Sequence, residues 1–336
     1  MSTPGQVLVV GSVNLDATLS MARIPAAGET VSGAKLSHQQ GGVGANQAVA
    51  AARSGAPTEL VAALGTDAAA ETLLGALRDS GVGVERCHRL DDVPSGQASI
   101  WVDESGENRI VVAGGANERL DAAAVKSKLE GLSPAVVLCQ LETPVEAAAA
   151  ALAWARENGA LGMMNASPAL PVAKLPRGAS VIVVNEGEAR SIAASAGGGG
   201  SAGGADRGAE RSGETDDAAS PGADAEMQAA LDAAAIATAL DAETVVITRG
   251  GDGALAHHRG QTVTRDSPKV EPVDTTGAGD AFTGALAARL AAGDSPADAL
   301  AFACAVGALA TTGIGATAAV PTAAETEAFL RDGALS

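Results

Sequence analysis

The stretch VEPVDTTGAGDAFTGAL, residues 270–286, joins a short apolar run to a glycine-rich loop and then to a helix-forming run. We expect the helix to start near Asp280. The first turn of a helix leaves N–H groups unpaired and carries a partial positive charge. Gly277 and Gly279 let a ligand approach the main chain without a Cβ in the way. The sequence therefore predicts an anion site made of main-chain amides.

This loop matches neither of the common nucleotide motifs. A P-loop needs G-x-x-x-x-G-K-[ST], and no lysine follows these glycines. In a dinucleotide fingerprint the third glycine would fall on Phe282. We therefore place a dinucleotide-dependent oxidoreductase last among the candidate functions.

Asp280 follows the loop, and two roles fit an aspartate at this position. As an N-cap it would bind the free N–H groups, which stabilises a helix by about 1 kcal/mol. As a carboxylate beside an anion site it would accept the proton of an alcohol while the amides hold a transferring phosphoryl group. On the residues of this loop alone, both interpretations stay open.

Four other polar segments follow predicted strands or open predicted helices. They are residues 11–16 (GSVNLD), 41–47 (GGVGANQ), 185–188 (NEGE) and 248–253 (TRGGDG). Asn14 and Asp16 suit the hydroxyls of a polyol, and Asn185 and Glu188 suit a hydrated Mg²⁺. Turn capping, close packing and helix capping are the alternatives. Ligands bind at the carboxyl ends of parallel strands, so we expect all five segments at one sheet edge.

Short apolar runs alternate with helix-forming segments along most of the chain. The predicted strands are 6–10, 59–64, 135–138, 161–165, 181–184 and 244–248. The predicted helices are 45–54, 68–80, 145–158 and 225–240. Apolar strands between amphipathic helices predict an α/β fold, in which a mostly parallel sheet is covered by helices on both faces.

Two regions depart from this alternation. Residues 98–113 (ASIWVDESGENRIVVA), and more loosely 17–37, predict hairpins that form a small antiparallel flap beside the main sheet. Residues 193–226 are rich in Gly, Ser, Ala and Asp and have hardly an apolar side chain. Burial cannot offset the ordering entropy of such a segment, so we predict a flexible surface insertion.

The composition argues against several kinds of partner. The chain has 336 residues, a net charge of −18, and only 1% aromatic residues. This charge opposes nucleic acid and anionic membranes, and no apolar run is long enough to span a membrane. No signal peptide is predicted. Cys87, Cys139 and Cys304 are far apart and odd in number, which is typical of buried thiols in the reducing cytoplasm.

Taken together, these motifs resemble the ribokinase family of sugar kinases. The resemblance covers nearly the whole chain apart from 193–226. DTTGAGDAFTGAL (274–286) resembles the C-terminal signature of that family, and GGVGANQAVAAARSGA (41–56) resembles the N-terminal one. VVGSVNLD, IPAAGETVSG, AGGAN, QLETP and NEGE fit as well, and they point to the ribokinase branch.

The resemblance implies one three-layer α/β/α sandwich over residues 1–336. Its central sheet would be mostly parallel. A small β-sheet lid would be built from about 15–40 and 95–115. In this family the lid is often clasped against a second subunit, which predicts a homodimer.

The resemblance also assigns roles to individual residues. Asp280 would be the catalytic base, and the amides of Gly277, Ala278 and Gly279 would form the anion hole. The sugar would contact Asn14, Asp16, Gly41, Gly42, Val43, Asn46, Glu142 and Asp280. The nucleotide would lie along Asn185, Thr248, Arg249, Gly250, Gly251, Asp252, Gly253, Gly279 and Cys304.

ATP as phosphoryl donor and two metal ions are implied in the same way. Glu188 would act on Mg²⁺ through water. The monovalent activator K⁺ would lie, mostly at carbonyl oxygens, near Asp274, Thr276, Ala310, Gly313, Gly315 and Ala319.

Three positions depart from the pattern that the ribokinase branch usually has. Val43 stands where a lysine is usual, which removes a donor from the sugar pocket. Ala319 replaces a residue that is often serine, so one K⁺ contact is lost. Cys304 replaces one that is often asparagine, which weakens polar contact with adenine.

Three hypotheses follow for the function. The first is ATP-dependent phosphorylation of a pentose, D-ribose at O5, with Asp280 as the base. The second is phosphorylation of a nucleoside or deoxyribose, which the apolar Val43 motivates. The third, from another class, is a non-catalytic sugar or nucleotide sensor on the same fold.

Overall fold

The computed structural model describes residues 5–105, 107–196 and 221–333. Within these residues the strands are β1 (Val7–Val10), β2 (Asn14–Met21), β3 (Lys35–Gly41), β4 (Thr58–Val61), β5 (Ala63–Gly65), β6 (Val82–Gly83), β7 (His88–Leu90), β8 (Gly96–Asp103), β9 (Asn108–Ala113), β10 (Val136–Cys139), β11 (Leu161–Asn165), β12 (Val181–Asn185), β13 (Thr244–Thr248), β14 (Ala254–His258) and β15 (Gln261–Arg265). The α-helices are α1 (Val43–Arg53), α2 (Ala68–Asp79), α3 (Ala122–Leu129), α4 (Val145–Glu157), α5 (Glu186–Ala196), α6 (Pro221–Leu240), α7 (Ala278–Ala291), α8 (Pro296–Ala310) and α9 (Ala323–Gly333).

A nine-stranded sheet forms the middle layer, in the order β15-β14-β13-β12-β11-β10-β1-β4-β6. The seven strands from β13 to β6 in this order pair in parallel, and β14 and β15 add an antiparallel edge. In β1, Val7 and Val9 pack in the core that includes α1, α2, α7 and α8. Leu8 and Val10 pack in the core that includes α3 to α6. The predicted three-layer α/β/α fold is therefore confirmed.

A separate four-stranded sheet has the order β3-β2-β8-β9. Both predicted hairpins are present as the antiparallel pairs β2–β3 and β8–β9. The sheet is not fully antiparallel as predicted, because β2 and β8 pair in parallel and join the hairpins. β2 starts four residues after β1 ends, and β3 runs almost directly into α1. This small sheet therefore leaves the central sheet at the carboxyl end of β1.

One predicted strand is wrong in its extent. The apolar run 59–64 is divided between β4 in the central sheet and β5, which pairs with β7 in a two-stranded sheet. Ala62 lies at the bend between them, and its carbonyl accepts the N–H of His88. Both strands are buried, so the change of sheet leaves no trace in the hydrophobic pattern.

The predicted insertion at 193–226 falls mostly outside the described residues. Its ends, 193–196 and 221–226, belong to α5 and α6, and residues 197–220 are not described. The three cysteines are free and buried, as predicted. Across the described ranges we find no helix that is both long and apolar enough to cross a membrane.

Candidate active site

Asp280 lies in the first turn of α7, but it does not cap the helix. The N-cap is Gly277, in the left-handed conformation with a φ of 75°, and Asp280 is three residues further on. The capping interpretation is therefore wrong: the helix begins earlier than predicted, at a position whose φ favours glycine. The carboxylate instead faces α1. Its two oxygens accept hydrogen bonds from Asn46 Nδ2 (2.9 Å) and Gln47 Nε2 (3.0 Å).

The environment of Asp280 changes its acidity. Burial raises the pKa of this carboxyl well above its ordinary value of 3.8, to about 7. The hydrogen bonds from Asn46 and Gln47 lower the pKa, and the charges of Glu142 and Glu188 raise it further. A carboxylate with a pKa near neutrality is a good general base, since it is largely ionised at mildly alkaline pH and still accepts a proton.

Gln47 belongs to a set of three linked amide side chains behind Asp280, and the sequence analysis missed their role. Gln47 Nε2 also donates to Asn165 Oδ1 (2.8 Å), and Asn165 Nδ2 donates to the carbonyl of Val183 (3.0 Å). Gln140 Nε2 donates to Gln47 Oε1 (2.7 Å). We call Gln47, Gln140 and Asn165 the amide chain. Their only signal in the sequence is polarity at the end of apolar strands and inside an alanine-rich helix.

The predicted sugar-binding residues lie together beside this site. Asn14 pairs with Gly41 across β2 and β3, and a side chain at Gly41 would overlap the Asp16 carboxylate. Gly42 is the N-cap of α1 and lies against Val13. The turn-capping alternative for Asn14 and Asp16 is wrong, because both lie within strand β2.

Glu142 connects the sugar side to Asp280. Its Oε2 accepts hydrogen bonds from Ser12 Oγ (2.6 Å) and from the N–H of Val43 (3.1 Å). Burial, and then the charge of Glu142, raise the pKa of Asp16 to about 6. The same glutamate contributes to the raised pKa of Asp280. Asp16, Glu142 and Asp280 are therefore three acidic groups of one site.

A cavity of about 570 Å³ opens on the other side of the first turn of α7. Six of the predicted nucleotide-binding residues line it: Thr248, Gly250, Gly251, Gly253, Gly279 and Cys304. The sequence analysis missed another part of the wall, which is formed by Ser267, Pro268, Lys269, Val270 and Pro272. No motif marks that part. The cavity is large enough for a nucleotide.

Three residues that were predicted to contact the nucleotide do not line this cavity: Asn185, Arg249 and Asp252. Asn185 and Glu188 form a reciprocal cap on α5: Asn185 Oδ1 accepts the N–H of Glu188 (2.8 Å), and Glu188 Oε2 accepts that of Asn185 (2.9 Å). The helix-capping alternative is thus present in the structure. Arg249 is largely buried, with its Nε 3.6 Å from Glu186 Oε1, and Asp252 also lies outside the lining.

The residues predicted to hold K⁺ lie in the loop 274–276, at Ala310, the last residue of α8, and in the segment 313–319. Asp274 Oδ1 accepts the N–H of Thr276, and Oδ2 accepts that of Gly315, both at 2.9 Å. Burial alone would raise the pKa of Asp274, but the hydrogen bonds from Gly315 and Thr276, including one from the Thr276 side chain, outweigh it and the pKa is lowered. A Cβ on Gly313 would lie 2.9 Å from that of Ala319.

Comparison with known proteins identifies the family. The model of the pfkB family of carbohydrate kinases matches residues 5–323. The chain belongs to the pfkB family. Ribokinase from Schizosaccharomyces pombe is 32% identical over 334 residues, which cover 96% of each chain.

Solved structures of ribokinases share the fold. Ribokinase from Cryptococcus neoformans in complex with ADP has a TM-score of 0.81 and 29% identity, covering 97% of this chain and 99% of the other. Arabidopsis thaliana ribokinase complexed with ribose and ATP has a TM-score of 0.80 and 26% identity, covering 98% and 99%. The family predicted from the sequence motifs is confirmed.

Gly277 and Gly279, in the glycine-rich loop before α7, form a matched pair of positions for substitution. A Cβ on Gly277 would lie 2.7 Å from the Cβ of Ala316, and the residue that carries it would be forced into the left-handed conformation. A Cβ on Gly279 meets nothing within 4 Å and would point into open space beside the cavity. Strain therefore limits substitution at the first position, and space for a ligand limits it at the second.

We expect Gly277→Ala to destabilise the fold by about 1–3 kcal/mol, the usual cost of such backbone strain. Gly279→Ala should keep or slightly raise the unfolding temperature, since alanine favours a helix. It should lower kcat/KM for the nucleotide about a hundredfold, the cost of misplacing a reacting group. Thermal unfolding and nucleotide kinetics check both. Normal kinetics in a folded Gly279→Ala would contradict a phosphate site at this turn.

Proposed function

We propose that this protein is an ATP-dependent ribokinase that phosphorylates D-ribose at O5. The observation that carries the proposal is the position of Asp280. Its carboxylate is held by Asn46 and Gln47, and the residue follows Gly279, which lines the nucleotide-sized cavity. The relatives named ribokinase, and the Arabidopsis structure with ribose and ATP, support ribose as the acceptor.

The proposed reaction moves one proton and one phosphoryl group. Asp280 accepts the proton of the ribose O5 hydroxyl while O5 attacks the γ-phosphorus of ATP. The bond from that phosphorus to the oxygen bridging to the β-phosphate breaks, and ADP leaves with that oxygen. The N–H of Ala278 already donates to Thr275 O (3.2 Å), whereas no partner is found in the described residues for those of Gly277 and Gly279. We therefore assign the anion site mainly to these two glycines.

The side chains of this protein fit a Mg²⁺ ion that they contact only through water. No group of three or more His, Cys, Asp or Glu side chains in the described ranges could hold a metal. Mg²⁺ would therefore be held mainly by nucleotide phosphates and water, with Glu188 acting through water, and it would neutralise phosphate charge. The reciprocal cap between Asn185 and Glu188 holds the Glu188 carboxylate at the end of β12.

A K⁺ site fits the two loops that Asp274 holds together. Both of its oxygens bind main-chain N–H groups, which turns the loops 274–276 and 313–315 towards each other. The cation would bind carbonyl oxygens there and, like the nucleotide, would depend on the conformation of the Gly277 turn. We expect it to activate turnover without touching the reacting atoms.

The small sheet is proposed as the lid over the sugar and as a dimer surface. Leu36 in β3 and Ile110, Val111 and Val112 in β9 are all more than half exposed. Exposed apolar side chains at this density are typical of a protein–protein contact. Light scattering tests the dimer, and a molar mass equal to that of one chain would count against it.

The decisive experiment measures ADP release with D-ribose, 2-deoxyribose, fructose and nucleosides, each with and without K⁺. We expect D-ribose to give the highest kcat/KM, K⁺ to increase it, and NMR of the product to place the phosphate on O5. Strong activity on nucleosides with none on ribose would overturn ribose as the substrate and would favour the hypothesis that Val43 motivates. Ligand binding without ADP release from any acceptor would indicate a sensor.

A further inference from the structure

The amide chain behind Asp280 has a direction that the main chain imposes. The carbonyl of Val183 in β12 can only accept, so the amide of Asn165 must turn its Nδ2 towards it (3.0 Å). Asn165 Oδ1 then faces Gln47 and accepts from Gln47 Nε2 (2.8 Å). The orientation of one side chain thus determines that of the next.

Gln47 has no freedom left once Asn165 is oriented. Its Nε2 carries two hydrogens, of which one goes to Asn165 and the other to Asp280 Oδ1 (3.0 Å). Its Oε1 accepts from Gln140 Nε2 (2.7 Å). Turning the amide over would place oxygen against Asn165 Oδ1 and nitrogen against nitrogen at Gln140. Gln47 must therefore present an N–H to the carboxylate.

Burial strengthens the hydrogen bonds of the amide chain, and it also makes any unpaired polar atom there destabilising. Gln47 is 0% exposed and Gln140 is 1% exposed, and hydrogen bonds to an ionised group are strongest away from water. Gln140 Oε1 is itself buried with no hydrogen-bond partner in the described residues, which destabilises the fold. Apolar side chains of the same volume would avoid the cost of this unpaired oxygen. A purely structural role therefore explains the amide chain poorly.

We propose that Gln47 is a positioning residue for Asp280, with its amide oriented through Asn165 by the carbonyl of Val183. It fixes the plane of the carboxylate and favours its ionised form, so that Asp280 faces the acceptor hydroxyl ready to take its proton. This inference rests on the proposed function, in which Asp280 is the base.

The charged groups around Asp280 act in the opposite sense. Burial is the largest cause of its raised pKa, and the charges of Glu142, which follows β10, and Glu188 on α5 raise it further. Helix α1 supplies the uncharged donors Asn46 and Gln47, which lower it. The donors therefore keep more of the base ionised at neutral pH. Removing one of them should appear in the acid limb of the pH–rate profile.

The test is Gln47→Met, which keeps the length of the side chain and removes the amide. We expect the midpoint of the acid limb of kcat/KM to move up by about one pH unit, since a hydrogen bond to a charged group is lost. At pH 7, kcat should fall about tenfold, partly recovering at pH 9, while KM for both substrates stays near its wild-type value. A pH profile that superimposes on the wild-type profile would overturn the proposal.

Val49→Ala is the matched control, because Val49 is fully buried on the same helix α1 and packs in the hydrophobic core. It should lower the unfolding temperature and leave the acid limb unchanged. If it shifted the acid limb as Gln47→Met does, the role of Gln47 would be merely structural, and the proposal would fail.

Asn165→Leu decides the matter if Gln47→Met does not fold. It leaves Gln47 in place but removes the group that orients it, so we expect a smaller shift in the same direction; no shift would overturn the proposal. Asp280→Asn distinguishes a failure of the proposed base from a failure of the positioning role. An active Asp280→Asn would overturn the proposed base, whereas an inactive one beside an unchanged Gln47→Met would overturn only the positioning role.

Discussion

Replacing Asp280 by asparagine should lower kcat by about a thousandfold or more while the protein stays folded. A general base contributes typically 10²–10⁴-fold to the rate, and asparagine cannot accept the proton. The measurement is ADP release at saturating ribose and ATP. The KM values should change little, because the loss concerns the transition state. A kcat within tenfold of the wild-type value would show that another group takes the proton.

The same substitution should stabilise the protein at alkaline pH. The pKa of Asp280 is raised to about 7 from an ordinary value of 3.8, so the folded state binds this proton more tightly than the unfolded state does. Its contribution to stability is complete below pH 4 and is lost as the pH rises through 7. Asparagine stays neutral throughout. The difference in unfolding temperature, variant minus wild type, should therefore grow from pH 4 to 7 and then level off.

The structure also explains why Asp280→Asn can fold. An asparagine there would direct an N–H at one of the two amide donors that now bind the carboxylate. Asn46 Oδ1 is buried without a hydrogen-bond partner in the described residues. Turning the Asn46 amide over would bring this oxygen to the new N–H. A constant difference in unfolding temperature across the pH range would contradict the raised pKa of Asp280.

The general fold could be predicted because apolar runs carry most of the information for a parallel sheet. The strands 161–165 and 244–248 match β11 and β13 in both bounds. For β13 the charged residues Glu243 and Arg249 flank the apolar run. The run 59–64 gave the wrong extent, because β4 and β5 are both largely buried and differ mainly in the strands they pair with. Pairing partners are a tertiary property that hydrophobicity does not record.

The position of the site could be predicted for the same topological reason. Parallel strands bring the loops that follow them to one edge, which is why the charge of Glu142 influences Asp280 although the two lie far apart in the chain. The contacts within the site could not be predicted. Capping of its own helix was one of the two roles left open for Asp280, and its partners are instead on α1. The amide chain joins residues 47, 140 and 165 through pairwise geometry that no local pattern encodes.

Replacing Asp16 by asparagine should lower kcat/KM for ribose by about a hundredfold and leave KM for ATP unchanged. Asp16 Oδ1 is buried with no hydrogen-bond partner in the described residues, and the carboxylate packs against Gly41 at the end of β3. Two sugar hydroxyls donating to an ionised carboxylate would supply about 3 kcal/mol, which corresponds to roughly a hundredfold. Steady-state kinetics with each substrate varied in turn measure this effect.

The control for this variant is Asp121→Asn. Asp121 caps α3 by accepting the N–H of Ala124 (2.7 Å), and asparagine caps a helix equally well. We expect wild-type kinetics and stability from it. If Asp16→Asn instead raised KM for ATP and ribose alike, the carboxylate would act on the whole site, and a direct contact with the sugar would be excluded.

The pH dependence of ribose binding distinguishes Asp16 from Asp280. Burial and the charge of Glu142 raise the pKa of Asp16 to about 6, and only the ionised form accepts hydrogen bonds with both oxygens. KM for ribose should therefore fall as the pH rises through 6, whereas the acid limb set by Asp280 lies near pH 7. In Asp16→Asn the change in KM should disappear and the limb near pH 7 should remain. Because one aspartate then controls affinity and the other controls turnover, the two substitutions should separate binding from proton transfer in a site that both residues share.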